Sequence, residues 1–149
     1  MSFGYSVGDF VTAATLAWKL SIAIRSAKGA PESYRDLIQE LELTAQTLFT
    51  AGQLLETAGI PASSANCIAL GLSKCRNNLL RLRIIVKNYQ ECMETPNPQG
   101  GDWYGRFAVR AGLKKMLWEL SEKEGITEIR QNIKNGITEI TLILEACGL

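Results

Sequence analysis

Residues 68–93 read IALGLSKCRNNLLRLRIIVKNYQECM. Ile68, Leu72, Cys75, Leu79, Leu82, Val86, Tyr89 and Met93 fall at alternating four- and three-residue steps without a break. That spacing places them along one side of an α-helix, whereas a half-buried strand needs a period of two. The same rhythm runs through Tyr34, Leu37, Leu41, Thr44, Leu48, Ala51, Leu55 and Ala58. It returns at Ile126, Ile133, Ile137, Ile140 and Leu144, where Arg130 is the interruption. Seams of this kind mean long helices packed side by side at shallow angles. Leu41, Leu48, Leu55, Leu72, Leu79, Leu82, Val86, Ile133, Ile137 and Ile140 are the expected core.

The breaks between seams set the segments. Lys28-Gly29-Ala30-Pro31 stops one helix and starts another, with Pro at a first-turn position. Gly59-Ile60-Pro61 repeats the signal, and Ser63-Ser64 supply N-cap side chains. The run from Thr95 to Asp102 (TPNPQGGD) is a loop, and Glu124-Gly125-Ile126 is a weaker break. Five helical segments follow, at 9–27, 31–58, 63–94, 103–122 and 125–147. The second and third would be about 40 and 48 Å long at ~1.5 Å per residue. Helices of that length belong to bundles. Ile38, Leu54, Leu80, Ile85, Ile129 and Ile143 widen the apolar stripes beyond a two-stranded seam. The expectation is an all-α, up-down bundle of about five helices with two long central ones. It forms a single domain over residues 1–149, and a simple coiled-coil dimer is the less favoured arrangement.

The first segment differs. Phe10 to Ile24 reads FVTAATLAWKLSIAI, with eleven apolar residues of fifteen and Lys19 as its charge. Phe10, Ala13, Ala17, Leu20 and Ile24 form one face, and Val11, Ala14, Trp18 and Ile22 another. A helix apolar on nearly all sides is either central to a core or meets a membrane. Fifteen residues reach about 22 Å, short of the ~30 Å hydrocarbon layer. Extension back through Gly4 would reach about 34 Å and place Asp9 inside the span at a cost of a few kcal/mol. The Gly4-x-x-x-Gly8 spacing would allow close helix approach in lipid. In the resting state the expectation is a core helix with Asp9 as N-cap.

Composition excludes several kinds of chemistry. The chain has no histidine, so a Ser-His-Asp triad, a Cys-His pair and a His-ligated metal site are all ruled out. No phosphate-binding glycine loop and no clustered acidic metal site is present. Carboxylate pairs such as Glu119 and Glu122, or Glu124 and Glu128, read as solvated helix faces. The expectation is no enzyme, no catalytic residue, no metal and no cofactor. Cys67, Cys75, Cys92 and Cys147 form no C-x-x-C pair, and the N-terminus lacks a signal-peptide pattern. Reduced thiols and a cytoplasmic location are expected, with Cys75 serving packing.

A net charge of +1 argues against nucleic acid as a partner, but it hides segregation. Residues 59–90 carry Lys74, Arg76, Arg81, Arg83 and Lys87 and no acid, while 31–58 carry five acids and one base. Arg106, Arg110 and Lys114, with Lys115, form a basic stripe on the fourth segment, and Glu32, Asp36 and Glu40 an acidic one on the second. Such stripes either face one another across helices, at ~0–1 kcal/mol per exposed pair, or meet anionic lipid.

Three clusters of residues carry a resemblance. The first is Ser2-Phe3-Gly4-Tyr5-Ser6-Val7-Gly8-Asp9-Phe10 with Leu16-Ala17-Trp18. The second is Lys28-Gly29-Ala30-Pro31-Glu32-Ser33-Tyr34 with Leu37 and Glu40-Leu41. The third is Trp118-Glu119-Leu120-Ser121-Glu122-Lys123, running into Ile129-Arg130, Ile137 and Leu142-Ile143-Leu144. Across nearly the whole chain this resembles the HeLo-like N-terminal domains of fungal NLR-like (STAND) proteins, related to HeLo domains and to the four-helix domain of mixed-lineage kinase-domain-like proteins. The chain has only Gly4 and Gly8 where some relatives carry an extended glycine zipper.

The resemblance implies a cell-death effector in fungal immunity or heterokaryon incompatibility. Such a domain is the N-terminal part of a longer protein, or works with a partner chain. A C-terminal sensor module drives self-association, and the N-terminal helix then damages the plasma membrane. Its insertion elements here would be Phe3, Tyr5, Val7, Phe10, Val11, Leu16, Trp18, Leu20, Ile22 and Ile24. Arg106, Arg110, Lys114 and Lys115 would meet anionic headgroups. The alternative is a helical oligomerisation or adaptor domain with no membrane step.

Overall fold

A computed structural model describes residues 7–26, 34–94 and 125–149, with side chains described through Asn88 in the second stretch. Among these residues every regular element is helical: α1 (Val7–Ser26), α2 (Arg35–Thr57), α3 (Ala62–Glu94) and α4 (Thr127–Ala146). The expected segment 103–122, and with it a fifth helix, lies outside the described residues.

α1 pairs with α2 and α3 with α4, and the two pairs stack, α1 on α3 and α2 on α4. The contacts fix directions. Phe10 meets Gly52 while Arg25 reaches Glu42, so α1 and α2 are antiparallel. Lys74 reaches Glu139 while Arg81 reaches Glu128, so α3 and α4 are antiparallel as well. Glu40 bonds Arg130 while Ala51 and Leu144 line one cleft, so α2 and α4 run parallel. Directions thus alternate over the four described helices. The neighbours differ from those of the simplest up-down bundle: α2 and α3, joined by the short Ala58–Pro61 turn, lie on a diagonal.

The core is one cluster drawn from all four helices. Leu41, Leu48, Leu72, Leu79, Leu82, Val86, Ile133 and Ile140 are buried in it. Leu55 and Ile137 are half-buried at its edge. Glycines take the inward places beside them, because the helices approach too closely for larger groups. Gly136 is buried against α3, where an added Cβ would lie 2.6 Å from Cys75 Sγ and 2.8 Å from the Gly71 carbonyl oxygen. Gly52 is likewise buried, against Phe10 of α1.

Two helix starts differ from the expected ones. α1 already includes Val7 and Gly8, so Asp9 lies in the first turn, where its charge favours the positive helix end, rather than at the cap. α3 begins at Ala62, and the Pro61 carbonyl accepts the Ala65 N–H, which moves Ser63 and Ser64 inside the first turn.

Candidate functional site

The first helix is half packed and half open. Phe10, Ala13, Ala14, Ala17, Leu20, Ser21 and Ile24 are buried. Most of that face is small. Only Phe10, Leu20 and Ile24 bring large side chains, each stabilising by ~1.5–3 kcal/mol when fully buried. On the other side Val11, Trp18 and Ile22 are 40, 47 and 45% exposed. Leu16 and Val7 are intermediate. Of the two expected placements, buried or semi-buried, the second holds among the described residues: α2 and α3 cover α1 along one stripe. Its 20 residues span about 30 Å, and by length and composition it is able to cross a membrane. Among the insertion candidates, Phe3 and Tyr5 lie outside the described residues.

The lipid-headgroup candidates Arg106, Arg110, Lys114 and Lys115 also lie outside the described residues. A second set of cations is on view. The basic run on α3 divides by helix face. Lys74 donates to Glu139 at 2.7 Å, and Arg81 bonds Asn78 at 3.2 Å with Glu128 nearby, both towards α4. Arg76, Arg83 and Lys87 point to the other side and line a groove between α3 and α1. Lys19 of α1 joins them there. All four are exposed, and among the described residues none has an ion-pair partner. Leu16, Leu20, Leu80 and Val86 supply the apolar lining, and no carboxylate lines the groove among the described residues. Sequence reasoning had noted the acid-free stretch but not its division. The signal was present in the spacing: 76, 80, 83 and 87 share one helical stripe, and 74, 78 and 81 another.

A polar latch joins the two helix pairs. Arg130 donates to Glu40 through Nε and Nη2, at 2.8 and 2.7 Å, and Lys134 lies 3.2 Å from the same carboxylate. The bidentate Arg130 contact holds the Glu40 carboxyl below its ordinary range against the opposing effect of burial. Glu40 in turn raises Arg130. Thus Glu40 of the expected acidic stripe meets a basic partner across helices, and the interruption of the last seam at Arg130 is that partner. Beside the latch, Leu37, Leu41, Ile133 and Ile137 line a small open cleft of about 220 Å³.

A buried polar contact also ties α3 to α4. Asn78 accepts from Asn132 at 3.2 Å and donates to the Lys74 carbonyl at 2.8 Å. Cys75 is buried, its Sγ 3.6 Å from the Ile133 carbonyl, and burial pushes its thiol up to about 12. It stays protonated at neutral pH and acts as a packing group. Among the described residues no group of acidic or sulfur side chains is placed to hold a metal ion.

No family model, curated protein or solved structure matches this chain.

Proposed function

We propose that the chain is a membrane-targeting cell-death effector domain of the HeLo-like kind, acting in a fungal immune or incompatibility signalling protein. It rests in the cytoplasm as a closed bundle. A C-terminal sensor module, in the same chain or a partner, drives self-association at the plasma membrane. There α1 leaves α2 and α3 and inserts. The observation that carries this reading is the two-sided α1: membrane-length, held by three large side chains, and already presenting Val11, Trp18 and Ile22 to solvent.

Release exposes Phe10, Leu20 and Ile24, and lipid offsets that loss because it covers all sides of the helix at once. Lys19 at the centre of a span would cost ~2.5–3.5 kcal/mol unless it faced a water-filled lumen between copies. The membrane step therefore needs an oligomer.

The alternative, a helical oligomerisation or adaptor domain, is favoured by exposed Leu43 and Phe49 on α2 and Leu142 on α4. Dye leakage from vesicles containing phosphatidylserine separates the two. The full chain, forced to oligomerise by a fused coiled coil, releases dye under the first reading and none under the second.

A further inference from the structure

The α1–α3 groove has a chemistry that helix insertion does not use. It holds about 790 Å³, within the ~300–1,000 Å³ of small-molecule sites. From Arg76 to Lys87 it follows α3 for about 16 Å. Its lining joins Leu16 and Leu20 of α1 to Leu80 and Val86 of α3. The hydroxyls of Thr12 and Thr15, also in the lining, donate to the carbonyls of Gly8 and Val11 of their own helix. The polar handles left for a ligand are the four cations. Every charge they present has one sign, and none is neutralised by an ion pair among the described residues.

We infer that this groove binds a single anionic amphiphile, a lipid with one acyl chain against Leu16, Leu20, Leu80 and Val86. Its acidic headgroup is held by Arg83 and Lys87, with Arg76 and Lys19 along the chain's path. An apolar floor with cations of one sign at its edge matches a carboxylate or phosphate on a hydrocarbon tail. A neutral lipid would forgo the charge pairing that the four exposed cations offer, and a purely ionic ligand would leave the half-exposed Leu16 and Leu80 in water. The occupied groove contains residues of both helices, so the ligand bridges α1 to α3 and stabilises the closed bundle by linkage.

The test uses the full chain of 149 residues with decanoate below its micellar concentration, and uncharged 1-decanol as control. Calorimetric titration should give saturable binding of decanoate near one per chain, with a raised thermal midpoint. Decanol should bind at least tenfold more weakly. Arg83→Ala/Lys87→Ala should weaken decanoate at least tenfold while leaving the ligand-free midpoint within a few degrees. Arg81→Ala, on the face towards α4, should leave binding unchanged. Added salt should weaken the interaction in the wild type more than in the double variant. Equal binding of decanol, unaltered binding by the double variant, or no saturation overturns the inference. So does displacement of decanoate by a glutamate-rich amphipathic peptide at lower concentration, which would make the groove a helix-docking surface. Vesicles are absent from this assay, so a negative result leaves the insertion reading standing, and absence of leakage leaves the groove standing.

Discussion

Gly136 shows how a single side chain, or its absence, sets the distance between two helices. The place a Cβ would take is 2.6 Å from Cys75 Sγ and 2.8 Å from a backbone oxygen that cannot rotate away. Gly136→Ala gains ~1 kcal/mol of helix propensity but overpacks the crossing, at a typical cost of ~1–3 kcal/mol. Because one of the two obstacles is backbone, the cost should win. Urea denaturation is expected to show a net destabilisation of up to about 2 kcal/mol.

Leu79, fully buried on α3, should cost ~2–5 kcal/mol as Leu79→Ala, by the same measurement. The periodicity of residues 68–86 gave every buried seam position of α3 in that range, Leu79 among them. It also gave Ile137 and Leu55, which pack half-buried against the same cluster, and it passed over the buried Gly136 and Gly52, because hydrophobic periodicity scores a glycine as a gap. Gly136 and Gly52 are instead the inward positions, and the larger neighbours are pushed to the flank.

At the level of elements, the Glu40–Arg130–Lys134 latch holds α2 to α4 and with it one helix pair to the other. Glu40 titrates lower in the fold than in the unfolded chain. Its contribution is therefore complete above the ordinary carboxylate range, about pH 4.3, and is lost as pH falls through the lower folded value. Glu40→Gln should lower stability at pH 7 by about 1–3 kcal/mol. It should also flatten the fall of the thermal midpoint between about pH 5 and pH 3 relative to wild type. A variant whose acid profile overlays the wild type would show that the latch does not couple to folding.

This element was half legible. The sequence marks Arg130 as an intruder in an apolar seam, but periodicity cannot say which carboxylate it meets, since that depends on α2 and α4 running parallel side by side. The basic run on α3 is similar: its spacing separates two faces, but which of them meets α1 and which meets α4 depends on the packing. Of the candidate site, the apolar content of α1 was legible. Its exposed half was not, because composition cannot tell a central helix from a peripheral one.

Across the described residues, the bundle joins the α3–α4 seam to a first helix whose buried face is Phe10, Leu20 and Ile24 with small residues between them. Under the proposed function, α1 is the part that leaves. Amide exchange should therefore be fastest in α1 and slowest around Leu79 and Ile140, as expected of an element with few large buried side chains. Under the proposed function, the open half of α1 enters lipid. The most direct measurement is dye release from phosphatidylserine vesicles by the coiled-coil-oligomerised full chain, comparing wild type with Trp18→Lys/Ile22→Lys. These two residues are exposed in the closed bundle, so the variant should keep its helix content and melting point. Release by the wild type, and at least tenfold slower release by the variant, is the expected result. Equal release by both, or none by the oligomerised wild type, would contradict it.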